Sequence, residues 1–160
     1  MSRYAATTDV SSARSKAEIE ATVERYGATQ VLSGWSNDGQ AVIGFTMEGR
    51  QVRFLLSLPN PGEKEFTHHA KGPRAPEAAR KAYEQAIRQK WRALALVIKA
   101  KLEAVDSGIT VFENEFLANI VLPGGKLVGD LARPTIALAY QTRELQPLLP
   151  DYSDTGEGRS

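Results

Sequence analysis

The chain has 160 residues, 42% of them hydrophobic, with a formal net charge of +1 at neutral pH, a size that suits one domain with a buried core. With no cysteine, disulfides and thiolate metal sites are excluded. No apolar run approaches the ~18 residues of a membrane-spanning helix. The polar first fifteen residues lack the apolar centre of a signal peptide, so a cytoplasmic protein without a membrane partner is expected.

Residues 1–14, rich in Ser, Thr and Ala, read as a disordered tail. Ser15 followed by Glu18 is a capping box and predicts a helix start. Ile19, Val23 and Tyr26 share one face of that helix, and Gly27 suits a left-handed end. Three strand-like runs follow, at 28–35, 40–47 and 50–58. They are separated by Ser36-Asn37-Asp38-Gly39 and by Glu48-Gly49, connections that favour tight antiparallel hairpins. In the third run Val52, Phe54, Leu56 and Leu58 alternate with Gln51, Arg53, Leu55 and Ser57, as in a sheet covered on one side. Residues 60–75 are broken by Pro61, Gly62, Gly72 and Pro73 and read as loop.

Residues 76–107 predict one long helix, opened by Pro76 and closed by Gly108. Its apolar positions Tyr83, Ile87, Trp91, Leu94, Ile98, Leu102 and Val105 recur in steps of three and four. At about 45 Å it would overhang a small sheet or pack on another subunit. Residues 111–122 read as strand towards their end, Pro123-Gly124-Gly125 as a turn, and 126–128 as a short returning strand. Residues 130–142 read as helix, interrupted early by Pro134, and 146–150 as a cap placing Leu148 and Leu149 on the fold. Residues 151–160 read as a second disordered tail. The fold class is α+β: one domain over 15–150, with a three-stranded antiparallel meander packed on a long helix, an N-terminal helix, and a C-terminal hairpin plus helix.

Charge is segregated along the chain. From Lys71 to Lys101 there are nine cations against Glu77 and Glu84, whereas after Gly108 seven acids face four bases. On the long helix Lys81, Arg88, Arg92 and Lys99 fall within roughly 40° of one another, with the apolar stripe centred about 110° away. A local basic surface attracts polyanions even when the whole chain is near neutral. Arg50 and Arg53 would extend it only if the third strand packs beside the Arg88–Lys99 half. Trp35, Phe45, Phe54, Tyr83 and Trp91 are candidate stacking partners for a single strand. Of these Trp91 lies in the apolar stripe and reads as core, while Trp35, beside a turn, reads as exposed. The bland alternative for the stripe is a solvated helix face with acidic neighbours.

Catalytic signatures are missing. His68-His69 has only Glu65 near it and no set of metal-ligand spacings. Glu113 and Glu115 alternate on a strand-like run and, with Glu103 or Asp130, could hold a divalent ion for phosphodiester cleavage. The alternative is that they pair with the basic helix. Pro123-Gly124-Gly125-Lys126 lacks the spacing of a phosphate loop. No catalytic residue, metal ligand or cofactor is therefore assigned.

Three segments carry a resemblance: Gly49-Arg50-Gln51-Val52-Arg53-Phe54, Arg88-Gln89-Lys90-Trp91-Arg92-Ala93-Leu94 and Phe112-Glu113-Asn114-Glu115-Phe116-Leu117-Ala118. They look like a family of small uncharacterised bacteriophage and prophage proteins, over about residues 15–150. The order of three antiparallel strands then a long helix also resembles, in topology, Rad52-like single-strand annealing proteins. These resemblances imply a phage-encoded accessory protein in the host cytoplasm. The cation stripe, not the resemblance, supplies the expected site: nucleic acid, single-stranded DNA first, bound in replication or recombination through Arg50, Arg53, Lys81, Arg88, Arg92 and Lys99. The competing expectation is a protein-interaction module: an oligomeric phage structural protein, or an inhibitor of a host or defence protein.

Overall fold

A computed structural model describes residues 3–36, 38–149 and 151, with the backbone alone for 3–10. In chain order it contains α1 (Arg3–Arg25), β1 (Gln30–Trp35), β2 (Gln40–Met47), β3 (Arg50–Ser57), a one-turn α2 (Lys64–Thr67) and the two-residue strands β4 (His68–His69) and β5 (Gly72–Pro73). There follow α3 (Pro76–Asp106), α4 (Phe112–Glu115), a 3-10 turn (Leu117–Asn119) and α5 (Val128–Thr142). The expected α+β class, with its meander, long helix and flanking helices, is the observed one.

The meander runs β1-β2-β3, antiparallel throughout. Glu48 and Gly49 both take left-handed φ, 51° and 72°, as a two-residue hairpin turn requires. Period-two alternation sends Ala41, Ile43, Phe45, Met47, Val52 and Phe54 into the core. Val42, Gly44, Thr46, Gln51, Arg53 and Leu55 take the opposite face.

Across the buried face lies α3, with Tyr83, Ile87, Trp91, Ala95, Ile98 and Leu102 inside. Leu94 and Val105 are only partly buried, and Ala95 takes a full core position in their place. Both predicted helix ends are present in the same form. Ala28 N–H donates to Val23 O (2.9 Å) and Gly27 N–H to Glu24 O (3.0 Å), while Ile109 N–H donates to Ala104 O (3.0 Å) and Gly108 N–H to Val105 O (3.1 Å). This pair of hydrogen bonds is the Schellman closure, and Gly27 and Gly108 hold φ of 106° and 79° to make it.

The first helix does not begin at the Ser15–Glu18 box but at Arg3, so residues 3–14, expected as tail, are helical. Residues 1, 2 and 152–160 of the expected tails lie outside the described residues. The cause is packing: Ser12, Ile19 and Val23 are buried and Lys16 is half-buried, a seam in steps of four, three and four. Burial along such a seam outweighs a local start signal. Lys16 lies over the Trp91 ring (5.1 Å), and Tyr26 borders a recess with Leu102 and Val105, so α1 and α3 run in the same direction.

Residues 111–122 also depart from expectation. Residues 112–119 form α4 and the 3-10 turn, and the strand expected towards the end of the segment is reduced to isolated bridges, Val121–Leu127 within the expected hairpin and Val52–Ile120 to β3. A helical turn brings the buried Phe112 and Phe116 rings to 5.0 Å. Four residues of strand would set them about 13 Å apart. Phe116 then meets Phe45 edge-on at 5.7 Å and Phe54 at 6.3 Å, closing the core over β2 and β3. The Pro123-Gly124-Gly125 turn forms as expected, with Leu122 N–H donating to Lys126 O (2.9 Å). Within the expected loop at 60–75, Phe66 is buried edge-on to Tyr83 (5.5 Å), which anchors α2. Leu148 and Leu149, expected as a cap, are exposed at 42% and 40%, and residue 150 of that cap lies outside the described residues.

Candidate nucleic-acid interface

Lys81, Arg88, Arg92 and Lys99 are all exposed on α3. At 1.5 Å per residue the line they form is about 27 Å long, with Arg88 and Arg92 about 6 Å apart along the axis. Among the described residues none of the four is in an ion pair; Arg88 donates to the Gln85 side-chain oxygen (2.9 Å). Glu103 follows Lys99 by one turn but makes no ion pair with it.

Other cations are matched. Arg80 is held between Glu77 and Glu84, with Nη1 2.5 Å from Glu84. Its hydrogen bond and charge keep the Glu77 carboxyl below the usual carboxylate range. Lys101 pairs with Glu115 (3.2 Å), Arg133 with Asp130 (2.5 Å) and Arg50 with Glu113 (2.7 Å). Lys81 also acts at longer range on the Glu77 carboxyl, so among the described residues Arg88, Arg92 and Lys99 are the members of the line left beside cations that the fold pairs.

Arg50 and Arg53 do not join that line. Lys90 donates to Ser57 O (3.0 Å) and Lys101 to Glu115 O (3.1 Å), so the end of β3 and α4 lie on one flank of α3. Lys90 and Lys101 sit two residues from Arg92 and Lys99, about 200° round the helix, so the cation line occupies the other flank. Arg50 is engaged by Glu113 on the α4 side. Arg53 lies between the buried Val52 and Phe54 and so emerges on the outer face of the sheet, away from α3. The condition for a continuous basic surface is not met.

The aromatic partners do not face solvent either. Trp91 and Tyr83 are buried, Phe45 and Phe54 are core, and Trp35, expected as exposed, is half-buried beside Ala41. Contact through this face would therefore be made to phosphates rather than to bases. Sequence reasoning finds the cations through their helical period, and its alternative that the acids pair with the basic helix holds for Glu115 with Lys101; it misses Glu113 as the partner of Arg50.

The acidic alternative is dispersed. Glu113 and Glu115 stand on a helical turn rather than a strand, and each is occupied by a different cation. His68 and His69 are exposed, with His68 Nδ1 2.8 Å from Thr67 Oγ1 and His69 Nδ1 accepting from Lys71 N–H (3.0 Å). Among the described residues no cluster of three or more His, Cys, Asp or Glu is placed to hold a metal ion. No helix among them is long and apolar enough to cross a membrane. Comparison with protein-family models, with curated proteins and with solved structures finds no match to this chain.

Proposed function

We propose that the chain binds nucleic acid by its phosphate backbone, non-enzymatically, along Lys81, Arg88, Arg92 and Lys99 of α3. The observation that supports this reading is the exposed 27 Å cation line (about 18 residues of helix) without ion partners among the described residues. That length corresponds to roughly eight phosphate steps of one B-form strand at 3.4 Å. Binding of this kind is sequence-independent, and a single strand in phage replication or recombination is the setting the sequence resemblance implies.

The test is fluorescence anisotropy of a labelled single-stranded oligonucleotide at several salt concentrations. Four phosphate contacts give a slope of log K against log salt of about −2.8. Absence of binding at low salt, or a slope near zero, refutes the reading. A duplex of the same length, run in parallel, decides whether single strands are preferred.

A further inference from the structure

The two edges of the meander differ. On β3 the outward carbonyls of Gln51, Arg53 and Ser57 accept from Val121 N–H (2.8 Å), Asn119 Nδ2 (3.1 Å) and Lys90 Nζ (3.0 Å), so the fold itself occupies that edge. On the other side Ser36 N–H donates to Gln40 O (2.8 Å), which fixes the ladder between β1 and β2. In that antiparallel pattern the backbone groups of Gln30, Leu32 and Gly34 face β2, and those of Val31, Ser33 and Trp35 face outward. Among the described residues none bonds to these outward groups. Ser33 stands opposite the buried Ile43, on the helix side of the sheet, yet is exposed, so no helix covers the middle of the strand. Charges or a proline commonly guard a free edge, but β1 reads Gln-Val-Leu-Ser-Gly-Trp and has neither.

A row of unpaired N–H and C=O groups calls for a further strand, and the order of residues in β1 specifies a second copy of itself. Antiparallel pairing centred on Ser33 sets Ser33 opposite Ser33 and Val31 opposite Trp35. All three outward residues then pair, with about six backbone hydrogen bonds; centring on Leu32 or Gly34 leaves about four. On the outer face the same register lays Leu32, 67% exposed, over Gly34 of the second copy, where Gly34 lines a groove with Val42 and Gly44. Centring on Leu32 would instead oppose two leucines, and centring on Gly34 two glycines. On the inner face the half-buried Trp35 meets the half-buried Val31, an aromatic against a β-branched side chain.

We propose that β1 is a dimerisation edge, pairing antiparallel with β1 of a second copy about a two-fold axis at Ser33 to make one six-stranded sheet. The interface is isologous. Assembly stops at two copies, because both edges of the larger sheet are then β3, which the fold already occupies. The pairing does not depend on the nucleic-acid reading.

Sedimentation velocity of the full chain over a range of concentrations tests it, with the mass of a dimer expected at the higher concentrations. Leu32→Lys should weaken dimerisation about tenfold, by charging the free edge, and leave the circular-dichroism spectrum unchanged because the side chain is exposed. Cysteine variants report the register in a chain that has no cysteine of its own. The Ser33 Cα atoms of the two copies would lie about 5.5 Å apart, within reach of a disulfide, and the Leu32 Cα atoms about 7–8 Å apart, beyond it. Ser33→Cys should therefore form a covalent dimer on mild oxidation about tenfold faster than Leu32→Cys. A wild-type monomer throughout the range, or a dimer indifferent to Leu32→Lys, overturns the proposal. Cross-linking of Leu32→Cys as fast as that of Ser33→Cys overturns the register centred on Ser33.

Discussion

Arg88 and Arg50 show how context separates two arginines that look alike in the sequence. Arg88 extends from an exposed helix face and donates to the Gln85 side chain, whereas Arg50 is ion-paired with Glu113, sixty-three residues away in the chain. Arg88→Glu with Arg92→Glu is therefore expected to weaken oligonucleotide binding at least tenfold, and Arg50→Ala to leave it within twofold; anisotropy titrations check both. In the core, Phe116 touches Phe45, Phe54 and Phe112 and is fully buried. Phe116→Ala should cost about 3–5 kcal/mol in urea unfolding. Glu77 carries a smaller, pH-dependent term. Its folded pKa is lowered, by the Arg80 hydrogen bond first, so its contribution is present above the ordinary carboxylate range and lost as pH falls through the folded value. Glu77→Gln should flatten the acid limb of the stability curve, measured as the unfolding midpoint against pH.

The elements differ in how far local sequence determines them. Both ends of α3 can be read from it, since a proline at the first turn and a glycine past the last act within a few residues. A Cβ at position 108 would meet nothing within 4 Å, so Gly108→Ala encounters only the left-handed backbone penalty, about 1–2 kcal/mol in the same unfolding assay. The start of α1 is hidden from local reading because Ser12 and Lys16 look polar, although they line the seam against α3. Residues 112–119 look strand-like because the reason for their helical turns, the stacking of Phe112 and Phe116 beneath Phe45, lies in tertiary contact. For the cation line the period suffices to place four charges on one flank. It does not show that the sheet's arginines face elsewhere, since that depends on which side of α3 receives β3. Gly129→Ala, which meets the Ala118 backbone, should shift α5 and cost about 1–3 kcal/mol.

At the level of the whole molecule, a net charge of +1 conceals an uneven distribution. Arg50, Arg80, Lys101 and Arg133 are ion-paired within the fold, and among the described residues Arg88, Arg92 and Lys99 of the line on α3 are not. Charge of this kind governs association with a polyanion rather than the fold, so reversing it should change binding and leave stability within about 0.5 kcal/mol. The most direct measurement is oligonucleotide binding by the wild type and by the Arg88→Glu, Arg92→Glu variant side by side at low salt. Tight, salt-sensitive binding by the wild type and its loss in the equally stable variant is the predicted result; equal binding by the two, or none by either, would contradict it.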